Sequence, residues 1–369
     1  MTDLHYIDPD NDATLPLDTR TWRGASGQPL ELGGLPRFDP RDIDRDVWSL
    51  WRYRAFLPLP ADAHPVSLGE GMTPLVPAAM DGRTIYYKLE FMAPTGSYKD
   101  RGVTTLISGL KAAGIDSVIE DSSGNAGTAV AAYAAAAGMA ARIFVPDHAS
   151  PAKKAQIRVY GANLAEIPGG RAATGDAAIA AAEHTVYASH AWNPLFNSGL
   201  RTAAWEVWEQ LGRAPDAVIT PVGQGGLLLG MADGFRDLLD AQCIDRLPRM
   251  IGVQAAAVAP VYRAWRDGLD VVPTVPEAAT IAEGVRIRRP VRAEAILAAV
   301  RDTDGVMVAP DDEAVEAARA DLARRGLFVE PTSALVLAGL RAILDTLPRD
   351  AIIVAPLTGS GLKSPPRVG

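Results

Sequence analysis

The sequence predicts an α/β fold: two open, mostly parallel, twisted sheets with helices on both faces and a cleft between two lobes. Three observations predict it. Short β-branched runs alternate with longer Ala- and Leu-rich runs from Thr84 onward. Several short runs are apolar at every position, as strands buried on both faces of a parallel sheet are. At 369 residues, 48% apolar and 22% charged, the chain can bury a core large enough for two lobes. No period of solenoid length competes with this reading.

Residues 1–60 are rich in Asp, Pro and Arg and show no periodicity. They predict an extended arm packed over the body, with Trp22, Trp48 and Trp51 as anchors. Strands are expected at TIYYKLE (84–90), SVIED (117–121), ARIFVP (141–146), TVYAS (185–189), DAVITPV (216–222), MIGVQA (250–255), GVMVAP (305–310) and AIIVAP (351–356). Helices are expected at about 100–113, 125–137, 151–160, 171–183, 198–211, 227–240, 291–301, 311–325 and 331–346. The larger lobe is expected to comprise 61–86 and 190–369, and the smaller one 87–189.

Composition excludes several classes. The net charge is −8 and no basic tract stands out, which argues against a nucleic-acid partner. The start MTDLHYIDPDNDAT has neither the basic head nor the apolar core of a signal peptide. The most apolar run, AVAAYAAAAGMAA (129–141), is too short to span a bilayer and reads as a packed helix. Cys243 is the sole cysteine, so there is no intramolecular disulfide and no cysteine-based zinc site. None of the five histidines forms a metalloprotease-like helical pair; each reads as a surface or satisfied core residue, and no metal is expected. A cytoplasmic protein without membrane or nucleic-acid partners is expected.

In open α/β sheets, ligands bind beyond the carboxyl ends of the strands, where helix N-termini point. Four strand-to-helix turns carry chemistry there. In APTGSYKDRG (93–102), Lys99 falls at a helix start, whose positive end favours a neutral amine over an ammonium. That suits a nucleophile or base. A solvated lysine paired with Asp100 is the other reading, and this stretch alone leaves both open. In DSSGNAGTA (121–129), Ser122 and Ser123 supply hydroxyls, while Gly124 and Gly127 let backbone amides approach a ligand. With the helix starting near Asn125, this is a place for a carboxylate or phosphate. Plain N-capping needs only one polar residue, so a binding loop is the better reading.

In TPVGQGGLLLG (220–230), Gly223-Gln224-Gly225-Gly226 precedes a helix and forms an anion nest. No Lys-Ser or Lys-Thr follows, so it is not a Walker loop, and the third glycine of the dinucleotide fingerprint is missing. The spacing suits one phosphate of a small cofactor; a tight structural turn is the alternative. In APLTGSGLK (355–363), Thr358 places a hydroxyl where the last strand ends. An amine, an anion loop with an amide side chain, a phosphate nest and a terminal hydroxyl together meet the needs of pyridoxal 5'-phosphate.

The motifs SLGEGMTPL (67–75), PTGSYKDRG, SSGNAGTA, PVGQGGLL, EPTSALVLAGL (330–340) and LTGSGLK occur in one order from about Trp51 to Lys363. In this the chain resembles fold-type II pyridoxal-phosphate enzymes, with the tryptophan synthase β-like fold, and among them the threonine synthases. Serine and threonine dehydratases share the framework but usually read Lys-Ile-Arg-Gly and Gly-Asn-His. Here Lys99-Asp100-Arg101-Gly102 and Gly124-Asn125-Ala126-Gly127 stand instead. The resemblance implies that Lys99 holds the cofactor as a Schiff base and later moves protons. It implies that Asn125 bonds the ring hydroxyl. The loop Ser123, Gly124, Asn125, Ala126, Gly127 and Thr128 receives the substrate carboxylate. Gly223, Gln224, Gly225, Gly226 and Leu227 offer amides to the cofactor phosphate, and Thr358 meets the pyridine nitrogen. A neutral hydroxyl there leaves the nitrogen largely unprotonated, which suits elimination and replacement over transamination. A homodimer is implied as well.

Two departures are visible. WRGASGQPLEL (22–32) lacks the paired cysteines of a metal-ribbon-like segment. In NPLFNSGLRTAAWEV (193–207), Phe196 stands where the family pattern has an arginine that helps hold a substrate phosphate. Ser198 stands for a glutamate and Arg201 for a lysine. A phosphorylated substrate then requires charge from Arg201, Arg286 or Lys153. The expected function is elimination or replacement on O-phosphohomoserine or a related activated amino acid, giving threonine or an analogue. The alternatives are a threonine- or serine-type ammonia-lyase or β-replacement enzyme of a specialised pathway, and a cofactor-binding protein without turnover.

Overall fold

A computed structural model describes residues 4–122, 124–149 and 151–364. The chain divides into two compact units: Met1–Gly71 with Ala93–Thr95 and Lys99–Leu200, and Met72–Met92 with Gly96–Tyr98 and Arg201–Gly369. Residues 1–60 fall within the first unit.

In the first unit, Ser117–Glu120, Ala140–Pro146, Asn163–Ile167 and Val186–Tyr187 form a parallel sheet. Val118 lies beside both Ala141 and Val186, so Ser117–Glu120 is an inner strand. Its carboxyl end opens into Asp121 and the loop before helix Asn125–Ala136. The Ala-rich face of that helix lets it sit close to its neighbours: Ala129, Ala131 and Ala134 are all fully buried. Lys99–Ala112 crosses Pro194–Leu200 through two glycines. A Cβ on Gly102 would lie 2.4 Å from Phe196, and one on Gly199 would lie 2.1 Å from the Arg101 carbonyl oxygen.

The arm is more ordered than its composition predicts. His5–Asp8 pairs antiparallel with both Ala13–Leu15 and Glu31–Gly33. Trp22 is an anchor: its ring meets Tyr187 and Trp192 edge-on at 5.4 and 4.9 Å. Trp51 is another, donating from Nε1 to Glu70 at 2.8 Å. Trp48 is not; it is 76% exposed. Buried Glu70 also accepts from Tyr133 at 2.7 Å, Thr104 at 2.9 Å and the Leu68 amide at 2.8 Å, which satisfies its oxygens and ties four segments together.

The second unit holds a six-stranded sheet in the order Val306–Val308, Arg249–Val253, Ala217–Pro221, Ile353–Pro356, Arg83–Lys88, Leu75–Met80. All neighbours are parallel except the last pair. Ile85, Ile219, Ile251, Val253 and Ile353 face Leu335 and Leu337 of helix Pro331–Ile343 in one core. Ala217–Pro221 and Ile353–Pro356 are parallel neighbours, and strand order turns beside them. The loops that follow them, at 222–225 and 357–360, therefore leave the same edge of the sheet, at its switch point. Among the described residues, no helix is long and apolar enough to cross a membrane.

Candidate active site

Lys99 is the first residue of helix Lys99–Ala112 and is half-buried. Asp100 is fully buried and turns back to the loop, accepting from the Thr95 amide at 2.6 Å and from the Thr95 hydroxyl. Lys99 Nζ sits 5.2 Å from the centroid of the Phe196 ring. Phe196 is completely buried, and its ring face is turned to the amine.

Gly124 is the N-cap of Asn125–Ala136, and among the described residues no N-cap side chain closes that end. The Ser122 hydroxyl accepts from the Gly124 amide at 3.2 Å, and the Thr128 hydroxyl bonds the Gly124 carbonyl at 3.1 Å. Gly127 is required by contact, since a Cβ there would lie 1.8 Å from the Ser122 carbonyl oxygen. Ala126 is buried beneath the loop and Asn125 is half-buried at its mouth. Ser123 lies outside the described residues. The helix start thus keeps donors for an anion, as a bound carboxylate requires.

In the second unit, strand Ala217–Pro221 runs into Val222, Gly223, Gln224 and Gly225, then helix Gly226–Asp240 with Leu227 in its first turn. Gly225 is the N-cap at φ +79°, a conformation that favours glycine, and no side chain caps the helix. A Cβ on Gly223 would lie 2.5 Å from the Gly284 carbonyl oxygen. Gln224 turns its side chain away, its Oε1 accepting from the Val291 amide at 2.9 Å, which leaves only its backbone for the nest. Thr220 Oγ1, in the strand Ala217–Pro221 that leads into the nest, is buried with no hydrogen-bond partner among the described residues.

Thr358 is 1% exposed, and its hydroxyl lies 3.0 Å from the Ser333 hydroxyl. Ser333 also accepts from the Gly359 amide at 2.7 Å. The Tyr98 amide donates to the Thr358 carbonyl at 3.0 Å, and Tyr98 immediately precedes Lys99 in the chain. Ser97 beside it is fully buried, and its hydroxyl has no hydrogen-bond partner among the described residues. No carboxylate bonds the Thr358 hydroxyl among the described residues.

These features fit pyridoxal phosphate. A glycine cradle at an uncapped helix start suits its phosphate, and a hydroxyl pair suits an unprotonated pyridine nitrogen. Buried hydroxyls at Ser97 and Thr220 offer further polar contacts. Ser333 was not among the sequence-predicted site residues, although it lies in the EPTSALVLAGL run; its hydroxyl had no visible partner in sequence. Of the cations considered for a substrate phosphate, Arg201 is committed to Asp237 at 3.1 Å and to Asp233 at 3.5 Å. Arg286 lies 3.7 Å from Glu277.

The family model for "Pyridoxal-phosphate dependent enzyme" matches residues 66–359, and the chain belongs to that family. Within it, the chain is similar to threonine synthases. That of Methanosarcina acetivorans is 33% identical over 90% of this chain and 84% of its own length. That of Synechocystis sp. is 37% identical over 85% and 82%. Among solved structures, the threonine deaminase of T.th. is similar, with TM-score 0.68 and 29% identity over 78% of this chain and 92% of that one. Maize serine racemase, at 23% identity and TM-score 0.69 over 78% and 88%, shares the fold. The chain is a pyridoxal-phosphate-dependent enzyme of the elimination and replacement class, threonine synthase-like, acting on a small amino acid.

Proposed function

We propose that the enzyme removes a leaving group from the β or γ carbon of an activated amino acid of the O-phosphohomoserine type and lets water add, giving threonine or an analogue. The observation that carries this reading lies in the second unit, where a glycine helix start at Gly225 accompanies a hydroxyl, not a carboxylate, at Thr358. When bound, pyridoxal phosphate supplies an electron sink for the α-carbon of the amino acid. Lys99 would hold it covalently through Nζ and, as a free amine, would take the α-proton and return it. Gly223, Gln224, Gly225, Gly226 and Leu227 bind the phosphate through backbone amides. Asn125 bonds the ring hydroxyl. Ser123, Gly124, Asn125, Ala126, Gly127 and Thr128 orient the substrate carboxylate. Thr358, steadied by Ser333, donates its hydroxyl hydrogen to the ring nitrogen and leaves it uncharged, which disfavours transamination.

A second reading is favoured by one observation. Phe196 is fully buried where a substrate phosphate would want a cation, and Arg201 is held by two aspartates. The substrate then has an uncharged leaving group, as in deamination of threonine or serine. Purified enzyme assayed with O-phosphohomoserine, threonine and serine separates the two. Phosphate release from the first supports the synthase reading; 2-oxoacid from the others, with no phosphate release, replaces it. We also propose a cytoplasmic homodimer, on resemblance to such enzymes; a monomer mass by sedimentation at micromolar concentration would end the dimer part.

A further inference from the structure

One buried titratable pair stands outside this mechanism. Glu120 ends the inner strand of the first unit and is fully buried. His190 Nδ1 lies 2.6 Å from Glu120 Oε1. The other oxygen, Oε2, is buried with no hydrogen-bond partner among the described residues. Asp121 next door takes the Tyr187 hydroxyl at 2.8 Å and the Arg171 guanidinium at 3.0 Å, the bonds of an ionised carboxylate. Burial first, then the charge on Asp121, pushes the Glu120 carboxyl well above the usual range. Burial, then Lys99 and Arg171, pushes the His190 imidazole well below its usual value. Charge is therefore disfavoured on both partners. An ionised Glu120 would strand a charged oxygen without solvent, whereas a carboxylic acid strands only a carbonyl oxygen.

The pair reaches the site through an aromatic ring. His190 meets Phe196 edge-on with centroids 5.9 Å apart, and Phe196 is the ring 5.2 Å from Lys99 Nζ. We infer that Glu120 is a neutral acid that donates its proton to His190 Nδ1, fixing the imidazole and through it the Phe196 ring against Lys99, so that Glu120 and His190 are positioning residues for the Lys99 amine. This rests on the reading of Lys99 as the cofactor lysine. The charged groups around the pair are Asp121, Arg171 and Lys99, with the Tyr187 hydroxyl beside them.

Glutamine keeps the shape, the neutrality and a donor to Nδ1; alanine removes all three. In the holoenzyme, Glu120→Ala is expected to lower kcat about tenfold with KM changed by less than about twofold, because the substrate-binding loop is untouched. It is also expected to move the pH midpoint of the bound cofactor's absorbance. Glu120→Gln is expected to recover most of the lost kcat and the wild-type midpoint. A glutamine variant as slow as alanine, with cofactor still bound, means the acid works ionised and overturns the inference; so does wild-type behaviour in both. Histidine-selective 15N NMR of the wild-type holoenzyme decides the matter even if the alanine variant does not fold. The inference requires an unprotonated Nδ1 and a protonated Nε2 on His190 near pH 7, and the opposite tautomer or an imidazolium overturns it. Failure of the Lys99 reading looks different: no covalent cofactor in the wild type.

Discussion

Lys99→Ala is expected to give a folded protein with no covalent cofactor and turnover reduced by about 10⁴-fold or more, since both the attachment point and the proton carrier are lost. Folding should survive. Lys99 is a half-buried first helical residue, and alanine is the best helix former. The alternative lysines are few: Lys88, Lys111, Lys153, Lys154 and Lys363 complete the set. Lys88 is committed to Glu206 at 2.8 Å and Lys154 to Glu166 at 2.7 Å. Borohydride reduction of the wild type, digestion and peptide mass should therefore find the cofactor on residue 99 and nowhere else. Circular dichroism of the alanine variant separates loss of chemistry from loss of fold. A reduced cofactor on another lysine, or wild-type turnover in the variant, would sink the proposed mechanism.

What could be read from sequence, and what could not, follows from how each feature is encoded. DAVITPV and AIIVAP were legible as strands because parallel strands buried on both faces need β-branched side chains on both faces. Leu75–Met80 and Asn163–Ile167 were not. They lie at the ends of their sheets, carry Pro77 or half-exposed polar positions, and so lack that signature. The helix expected over 198–211 is two helices, Pro194–Leu200 and Thr202–Leu211; Pro194 suits a first turn, and the break at Arg201 left no mark in the pattern. The arm's short antiparallel strands are too brief for periodicity to register.

The turns at Gly127, Gly223 and Gly225 were legible because close approach demands glycine. The partners that complete them were not. Ser333 meets Thr358 across 25 residues, and Glu120 meets His190 across 70. A buried acid and a buried histidine look, in sequence, like any solvated charge and any core histidine.

The same blindness hides the second large effect, which is on stability. Lys88 and Glu206 are both 0% exposed and pair at 2.8 Å. Lys88 Nζ also donates to the Gln210 side chain at 2.8 Å and the Thr73 carbonyl at 2.7 Å, while Glu206 accepts from the Met72 amide at 2.8 Å. Every strong donor direction of the ammonium is met, so the pair tolerates its burial. Removing one partner leaves an uncompensated charge without water. Lys88→Met or Glu206→Leu is therefore expected to cost about 3–5 kcal/mol, read as a lower urea midpoint. The double variant leaves no stranded charge, although Gln210, Thr73 and Met72 lose partners. It should cost less than the sum of the two singles by about 2 kcal/mol or more. Additive losses would mean that the two charges are solvated independently, and that the ion pair does not hold Arg83–Lys88 to helix Thr202–Leu211 as the distances indicate.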